Sequence, residues 1–523
     1  MKNKFIYTIL LSIGMLMSNS CDSLEEKPVG VLSPSEVFST PADLMLSVNG
    51  GYSLLGHEAF WGRKLSLTLL LRGDMATIAD EGTSARRQEV DKMTMSANNG
   101  MVSAFWPKGF EIIGAVNVAI EGAKELNGDE AEINEIVAEA YFLRAFVYYQ
   151  FVRLFGNIPH VGQSIESADH AYNMSEQPEA EIYAEIIEDL EFAKQWLPDQ
   201  ARQRSRPSKG TAASFLASVY LTLGDYQKSY DEAKYVIDNS GTFGYNLEGE
   251  FADLFDPSIA EASNEVVFEI DFKGGDGAGV PSELGGSNAA TDFMAPVTGP
   301  RKDTRFGYDG WSVTSPTLKV FETWDTRDYR RTVSFDTVIV GADGAEVPYT
   351  NFVSLDDRNR NRPYIAKYFR ANGQAGTPVG RNGRDSEIDY SVMRYAEVLL
   401  TAAEALNEIS GPTAEAQGYI NSVRERARRE LDEDATNDSM YPMNVSGGLS
   451  KEDFRTVVLE ERRLELAFEF GRWFDIKRRQ LGEEAFGPNG LEQQAFDPSK
   501  DYLMPKYQQD VDRMPNLTQN PGY

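Results

Sequence analysis

Cysteine is almost missing from this chain of 523 residues, occurring once, at Cys21. With no second thiol there is no internal disulfide, and beyond Cys21 no thiolate is available for a metal site or a nucleophile. Histidine is nearly as scarce. The three histidines are His57, His160 and His170, and no two have the helical spacing of a zinc protease pair. A Gly-x-Ser-x-Gly elbow and a phosphate-cradling glycine loop are absent as well. Positive charge is short too: 51 lysines and arginines stand against 81 acids, a formal charge of −30. Such a field repels nucleic acid and anionic surfaces and favours a neutral ligand, although clusters such as Arg358, Arg360 and Arg362, or Arg381 and Arg384, could reverse the sign locally. Carboxylates are so abundant that a glycosidase-like pair could be imagined anywhere, and abundance selects none. No catalytic, metal or cofactor site is therefore expected.

One apolar run stands out. Residues 5–17 follow Lys2 and Lys4 and lead into Ser18, Asn19 and Ser20, directly before Cys21. A short charged start, an apolar middle and small residues at the end make a secretory signal. The run is shorter than the roughly 20 residues a membrane-crossing helix needs, and no other stretch approaches that length. A leader ending at a lone cysteine resembles a bacterial lipoprotein signal, in which the thiol is lipidated and becomes the first mature residue. The expected organisation is a signal peptide (1–20), a lipidated acidic tether (21–30) and a body (31–523). The tether opens Asp22-Ser-Leu-Glu-Glu26, which resembles surface-export signals of Gram-negative lipoproteins, so the body is expected outside the cell, held to the outer membrane by the lipid on Cys21.

What is present in quantity is helix-forming sequence. Apolar residues recur at helical spacing over 106–126, 132–155, 180–197, 211–223 and 226–239, and again over 394–408, 413–429 and 451–480. The pair meeting at Gly224-Asp225 looks like a tetratricopeptide unit, with Ala213, Ala217, Ser229 and Ala233 where two helices must approach closely. Between 241 and 389 the texture changes to Gly, Pro, Asp and Asn with short β-type runs at 266–272 and 333–340. The predicted fold is mainly α: stacked tetratricopeptide-like pairs form a scaffold (about 31–50, 101–240 and 390–523), carrying a large irregular lobe with short strands (about 51–100 and 241–389). Long irregular segments on a rigid scaffold are where binding residues concentrate.

Five segments carry a resemblance to a known family. They are AYFLRAFVYYQFVRLFGNIP (140–159), residues 207–220, MRYAEVLLTAAEALNE (393–408), EERRLELAFEFGRWFDIKRR (460–479) and the C-terminal MPNLTQNPGY (514–523). Together they resemble the SusD/RagB family of outer-membrane nutrient-binding lipoproteins over nearly the whole mature chain. The resemblance implies a tetratricopeptide scaffold with an irregular lobe, no catalysis, and a glycan ligand at the cell surface. It also implies a partner, a SusC-like TonB-dependent transporter on which the lipoprotein sits as a lid. One branch, the RagB type, is associated with peptide uptake, which leaves a peptide as the alternative ligand.

A sugar presents an apolar C–H face bordered by hydroxyls, so its site needs exposed aromatic planes with polar side chains beside them. Of the six tryptophans, Trp106, Trp196 and Trp473 lie in helical segments and are assigned to packing, as is Trp324 beside an Asp-x-Arg segment. Trp311, in the glycine-broken loop RFGYDGW, is the first choice for a platform, with Tyr308 to extend it and Asp309 to accept hydroxyl protons. Trp61 is the second, with Phe60 and His57 nearby. Arg72, Asp74 and Asn288 are added as hydrogen-bonding candidates, although Arg72-Gly-Asp74 reads equally well as a structural salt bridge. Asp357-x-Asn359-x-Asn361 begins like a calcium loop but then places Arg362 and Tyr368 where Gly and Glu are required, so no metal is expected there.

Overall fold

The computed structural model describes residues 38–523 apart from 166, 261, 273–291, 307–308, 369–387, 429–439 and 493. The expected lipidation site Cys21, with the signal and tether, lies outside the described residues, as do Asn288, Tyr308, Arg381 and Arg384.

The protein is mainly helical, with five two-stranded sheets among the described residues. Its main helices are α1 (Pro41–Leu55), α2 (Lys64–Arg72), α3 (Ala85–Asp91), α4 (Val102–Glu125), α5 (Glu130–Phe155), α6 (Glu179–Trp196), α7 (Lys209–Leu223), α8 (Tyr226–Asp238), α9 (Tyr329–Ser334), α10 (Tyr395–Ser410), α11 (Ala414–Ala427), α12 (Lys451–Glu465) and α13 (Arg472–Arg478). Side-chain caps fix several starts. Thr40 and Asp43 close a capping box on α1, Ser208 and Thr211 do the same on α7, and Asp129, Thr413 and Ser450 cap α5, α11 and α12. Helices α4 to α8 pack in sequence order, and α10 continues the stack against α8 before pairing with α11 and α12. Gly224 ends α7 at φ 74, a left-handed cap natural to glycine. Ala213, Ala217, Ser229 and Ala233 are buried in the α7–α8 seam, where the Ser229 hydroxyl donates to the Ala217 carbonyl at 2.8 Å.

Three expectations need correction. Residues 51–100 are only partly irregular: α1 runs on to Leu55, α2 is buried at every residue, and α3 follows, with turns between them. The run 333–340 is not one strand. It splits into the end of α9, Phe335–Asp336 paired with Tyr364–Ile365, and Val338–Val340 paired with Glu346–Pro348. Nor is 451–480 a single helix. It breaks after Glu465, where Phe468 (φ 65) and Phe470 (φ 64) turn left-handed and carry their rings inward. Phe470 then meets Trp61, Tyr368 and Tyr390 at centroid distances of 5.5–5.7 Å, and burying four rings offsets the local backbone cost.

A sheet and an ionic cluster are two of the joints between segment 241–389 and the scaffold. Val266–Ile270 pairs antiparallel with Tyr390–Arg394, which runs directly into α10. Beside it, the buried Arg394 bonds Glu465 at 3.0 Å and Glu469 at 2.7 Å, and also binds Glu265. From the lobe, Arg330 reaches Asp328 (2.9 Å), Glu461 (2.7 Å) and Glu465 (3.1 Å), while Lys367 reaches Glu469 at 2.6 Å. Arg424 and Arg426 of α11 complete the cluster on Glu461, Glu465 and Glu265. Every carboxylate in it is matched by a cation, the condition under which buried charge is tolerated.

Candidate functional site

Trp311 sits on a strip of backbone laid against the 296–300 turn. Gly310 N–H donates to the Pro300 carbonyl (2.9 Å), Trp311 N–H to Pro296 (2.6 Å), Ser312 N–H to Gly299 (2.9 Å) and Val313 N–H to Val297 (3.0 Å). The approach is so close that a Cβ on Gly310 would stand 2.2 Å from the Gly299 carbonyl carbon, so a side chain there would displace the strip. On its other edge the strip accepts Ala79 N–H at the Val313 carbonyl (2.9 Å) and continues into Thr314–Pro316, paired with Ala76–Ile78. The Ser312 hydroxyl meets the buried Tyr364 hydroxyl at 2.6 Å. Trp311 is thereby fixed at its backbone while its ring, half-buried, rests edge-on against Phe293 at 5.8 Å. Asp309 is exposed and engaged by Lys302, through the backbone N–H at 3.2 Å and the ammonium at 3.1 Å.

The other sequence candidates are not brought to this surface. Trp61 is 1% exposed, stacked on Phe146 at 5.9 Å and met edge-on by Phe470 at 5.5 Å, so it is a core residue and not a platform. Phe60 is wholly buried against Phe151. Arg72 is buried under Trp473, with its guanidinium 4.8 Å from the ring, and donates to the Asp501 carbonyl. Asp74, equally buried, takes a two-pronged bond from Arg472 with both arms at 2.7 Å. None of these four can reach a ligand; they follow the structural reading because the tertiary fold closes over them. His57 is half-buried and its Nδ1 accepts the Ala59 N–H at 2.9 Å, a local turn contact.

Around the Trp311 strip lies a rim of paired charges. Asp80 binds Arg301 at 3.0 Å and also Arg358; burial alone would raise its pKa, but the bonds from Arg358 and the Gly82 N–H, with the nearby Arg301, hold the carboxyl below its usual range. Arg360 reaches Glu81 at 2.9 Å and the Ala79 carbonyl at 3.1 Å. Arg305 bridges Asp303 and Asp336. The basic cluster anticipated at 358–362 is therefore matched, at Arg358 and Arg360, by acids from 80–81. Asn359, in the calcium-like run, is buried as a hairpin anchor: it accepts from the Tyr364 hydroxyl at 3.0 Å and donates to the Arg301 and Phe352 carbonyls. Among the described residues no three His, Cys, Asp or Glu side chains are grouped to hold a metal.

Sequence reasoning missed a second concavity. An open cleft of about 530 Å³ lies between the 200–205 turn and the 263–271 segment, lined among others by Arg202, Gln203, Ser205, Asn264 and Asp271. Its walls join a turn to a strand more than sixty residues further on, and no local pattern shows that the two face each other.

Comparison with known proteins agrees with this architecture. A family model described as the SusD family matches residues 348–523, and another described as starch-binding, associating with the outer membrane, matches 65–221. SusD-like protein P2 of Formosa agariphila is 49% identical over 99% of each chain. The chain belongs to the SusD family. Among solved SusD-like structures, a SusD homologue from Bacteroides thetaiotaomicron superposes with a TM-score of 0.78 at 21% identity, covering 94% of this chain and 98% of the other. A laminarin-binding SusD-like protein gives a TM-score of 0.75 at 22% identity, covering 93% of this chain and all of its own. These likenesses place the helical scaffold and the lobe within the SusD fold.

Proposed function

We propose that this SusD-family chain is a cell-surface binding protein, without catalysis, that captures a neutral oligo- or polysaccharide and delivers it to a SusC-like TonB-dependent transporter. It would be held to the outer membrane by lipid on Cys21. The observation that carries this reading is Trp311: a half-buried, partly accessible residue on a backbone strip anchored by four hydrogen bonds. Such a platform binds the C–H face of a sugar with little ordering cost. Asp309, exposed two residues away, would accept hydroxyl protons beside its Lys302 contact. The charge of −30 and the pairing of Arg301, Arg358 and Arg360 with Asp80 and Glu81 disfavour a polyanion. The laminarin-binding structural relative is consistent with a glucan-like ligand. Weak contacts to single sugars add up along a chain that touches several points.

The test is affinity electrophoresis of the purified full-length protein in gels containing neutral or acidic polysaccharides. A neutral glycan should retard the protein, and Trp311→Ala should abolish most of that retardation. Retardation only by an acidic glycan would overturn the neutral assignment. The open polar cleft favours a second reading, peptide uptake of the RagB type, since backbone amides suit its mixed donors and acceptors. Binding of peptides with no response to any glycan would establish it.

A further inference from the structure

A second set of rings lies on the helical scaffold, away from the Trp311 strip. Phe192 and Trp196 stand one turn apart on α6 and share a face, and Tyr141 of α5 leans against them. The ring centroids step from Tyr141 to Phe192 at 4.4 Å and from Phe192 to Trp196 at 6.4 Å, with successive planes tilted by 42° and 39°. All three are half-buried and pack against the core without being sealed in it. The row is held in place from below. Arg144 lies over the Tyr141 ring at 5.0 Å and is itself clamped by Asp189 through bonds of 2.8 and 2.7 Å.

Two features separate this row from ordinary helix packing. The Tyr141 hydroxyl and the Trp196 indole N–H make no hydrogen bond to any described residue, and neither is sealed from solvent; aromatic polar groups committed to a core are normally paired. The border is also of one kind. Glu188 and Gln195 are exposed along the same face of α6, with no ion pair or hydrogen bond to another described residue. Aromatic planes edged by an uncommitted carboxylate, an amide, a phenol and an indole N–H match the alternating C–H faces and hydroxyls of a sugar chain. Glu188 repels an anionic chain and accepts hydroxyl protons from a neutral one.

The geometry points to a second glycan-binding platform, formed by Tyr141, Phe192 and Trp196, that engages another stretch of the same neutral chain held at Trp311. This inference rests on the glycan reading above. Two platforms on one molecule would raise the affinity for long chains over short ones without any change at Trp311.

The test uses the full-length protein in affinity gels containing laminarin, soluble starch, galactomannan or xylan, with alginate as the acidic control. Circular dichroism checks the fold of each variant. Trp196→Ala should weaken binding of the retarding polysaccharide roughly two- to ten-fold, and Tyr141→Phe, which removes one hydroxyl and leaves the packing, should weaken it less. Neither change should alter binding of a short oligosaccharide of the same glycan, which Trp311 holds alone. Unchanged retardation of both variants, with Trp311→Ala still defective, would overturn the second platform and leave the glycan reading intact. No retardation of the unaltered protein by any of the four neutral polysaccharides would overturn both.

Discussion

Where α2, α5 and α7 meet the Val266–Ile270 strand, the interior is filled by rings: Trp61, Phe142, Phe146, Phe215, Phe268 and Phe470 contact one another at centroid distances of 5.0–6.2 Å. Where the 241–389 lobe meets α11 and α12, it is filled by ions, with Arg330, Lys367 and Arg394 threaded between Glu265, Glu461, Glu465 and Glu469. Both regions are buried, yet they fail differently. A ring core loses contacts in proportion to the volume removed. An ionic core is balanced by number, so removing one member leaves a buried charge unmatched at a cost beyond the interaction itself. Rings therefore specify a scaffold that tolerates drift, whereas ions specify one seating of the lobe.

The largest effect expected from breaking this contrast is at Glu465, which serves Arg330, Arg394 and Arg426 together. Glu465→Gln should lower unfolding stability by about 3–5 kcal/mol in urea titrations. The loss should show first as faster proteolysis within 241–389, with helical circular dichroism retained. Equal loss of lobe and helices would mean that the cluster holds the whole fold and not the joint.

Acid sharpens the same comparison. Burial alone would raise the Glu465 pKa, but Arg426, Arg394 and Arg330 overcome it and bring the group down to about 2. The folded pKa lies below the ordinary value of 4.5, so the stabilisation is fully present above that value. It is lost as pH falls toward 2. The drop, about 3 kcal/mol by linkage, belongs to the ionic joint, since the ring core has no group titrating in this window. Stability measured from pH 5 to pH 2 should fall in the native protein and fall less in Glu465→Gln. Parallel curves would remove Glu465 from the account.

Much of the scaffold could be read in the sequence because helix periodicity and caps are local: 132–155 and 211–223 match α5 and α7 to within two residues. The break after Glu465 was hidden because ELAFEFGRW keeps helical spacing through residues whose rings are pulled inward by partners remote in sequence. The ionic core was hidden for a related reason, as nothing local separates Glu461 and Glu465 from the other charges of α12, and their partners lie elsewhere in the chain. At the candidate site the glycine-broken loop singled out Trp311, which the fold leaves half-buried and not sealed in the core. It could not reveal that Trp61, equally irregular in its local sequence, is covered by Phe146 and Phe470. Exposure of an aromatic is decided by what folds over it.

That difference between the two tryptophans can be measured. Trp61→Leu removes a buried ring, but it also removes an indole N–H that has no partner among the described residues. The relief of that buried donor offsets part of the lost packing, and the net destabilisation should be about 2 kcal/mol, with glycan binding unchanged once the protein is folded.

Trp311→Ala should do the reverse. Its backbone strip is held by hydrogen bonds that do not involve the indole, and the residue is only half-buried, so stability should change by about 1 kcal/mol or less. Binding, by contrast, should be largely lost, because the ring is the flat apolar surface at that point. Urea unfolding and affinity electrophoresis on the same two variants separate the cases. If Trp311→Ala destabilised the protein as much as Trp61→Leu, the indole would belong to the lobe's core and the platform would have to be sought elsewhere.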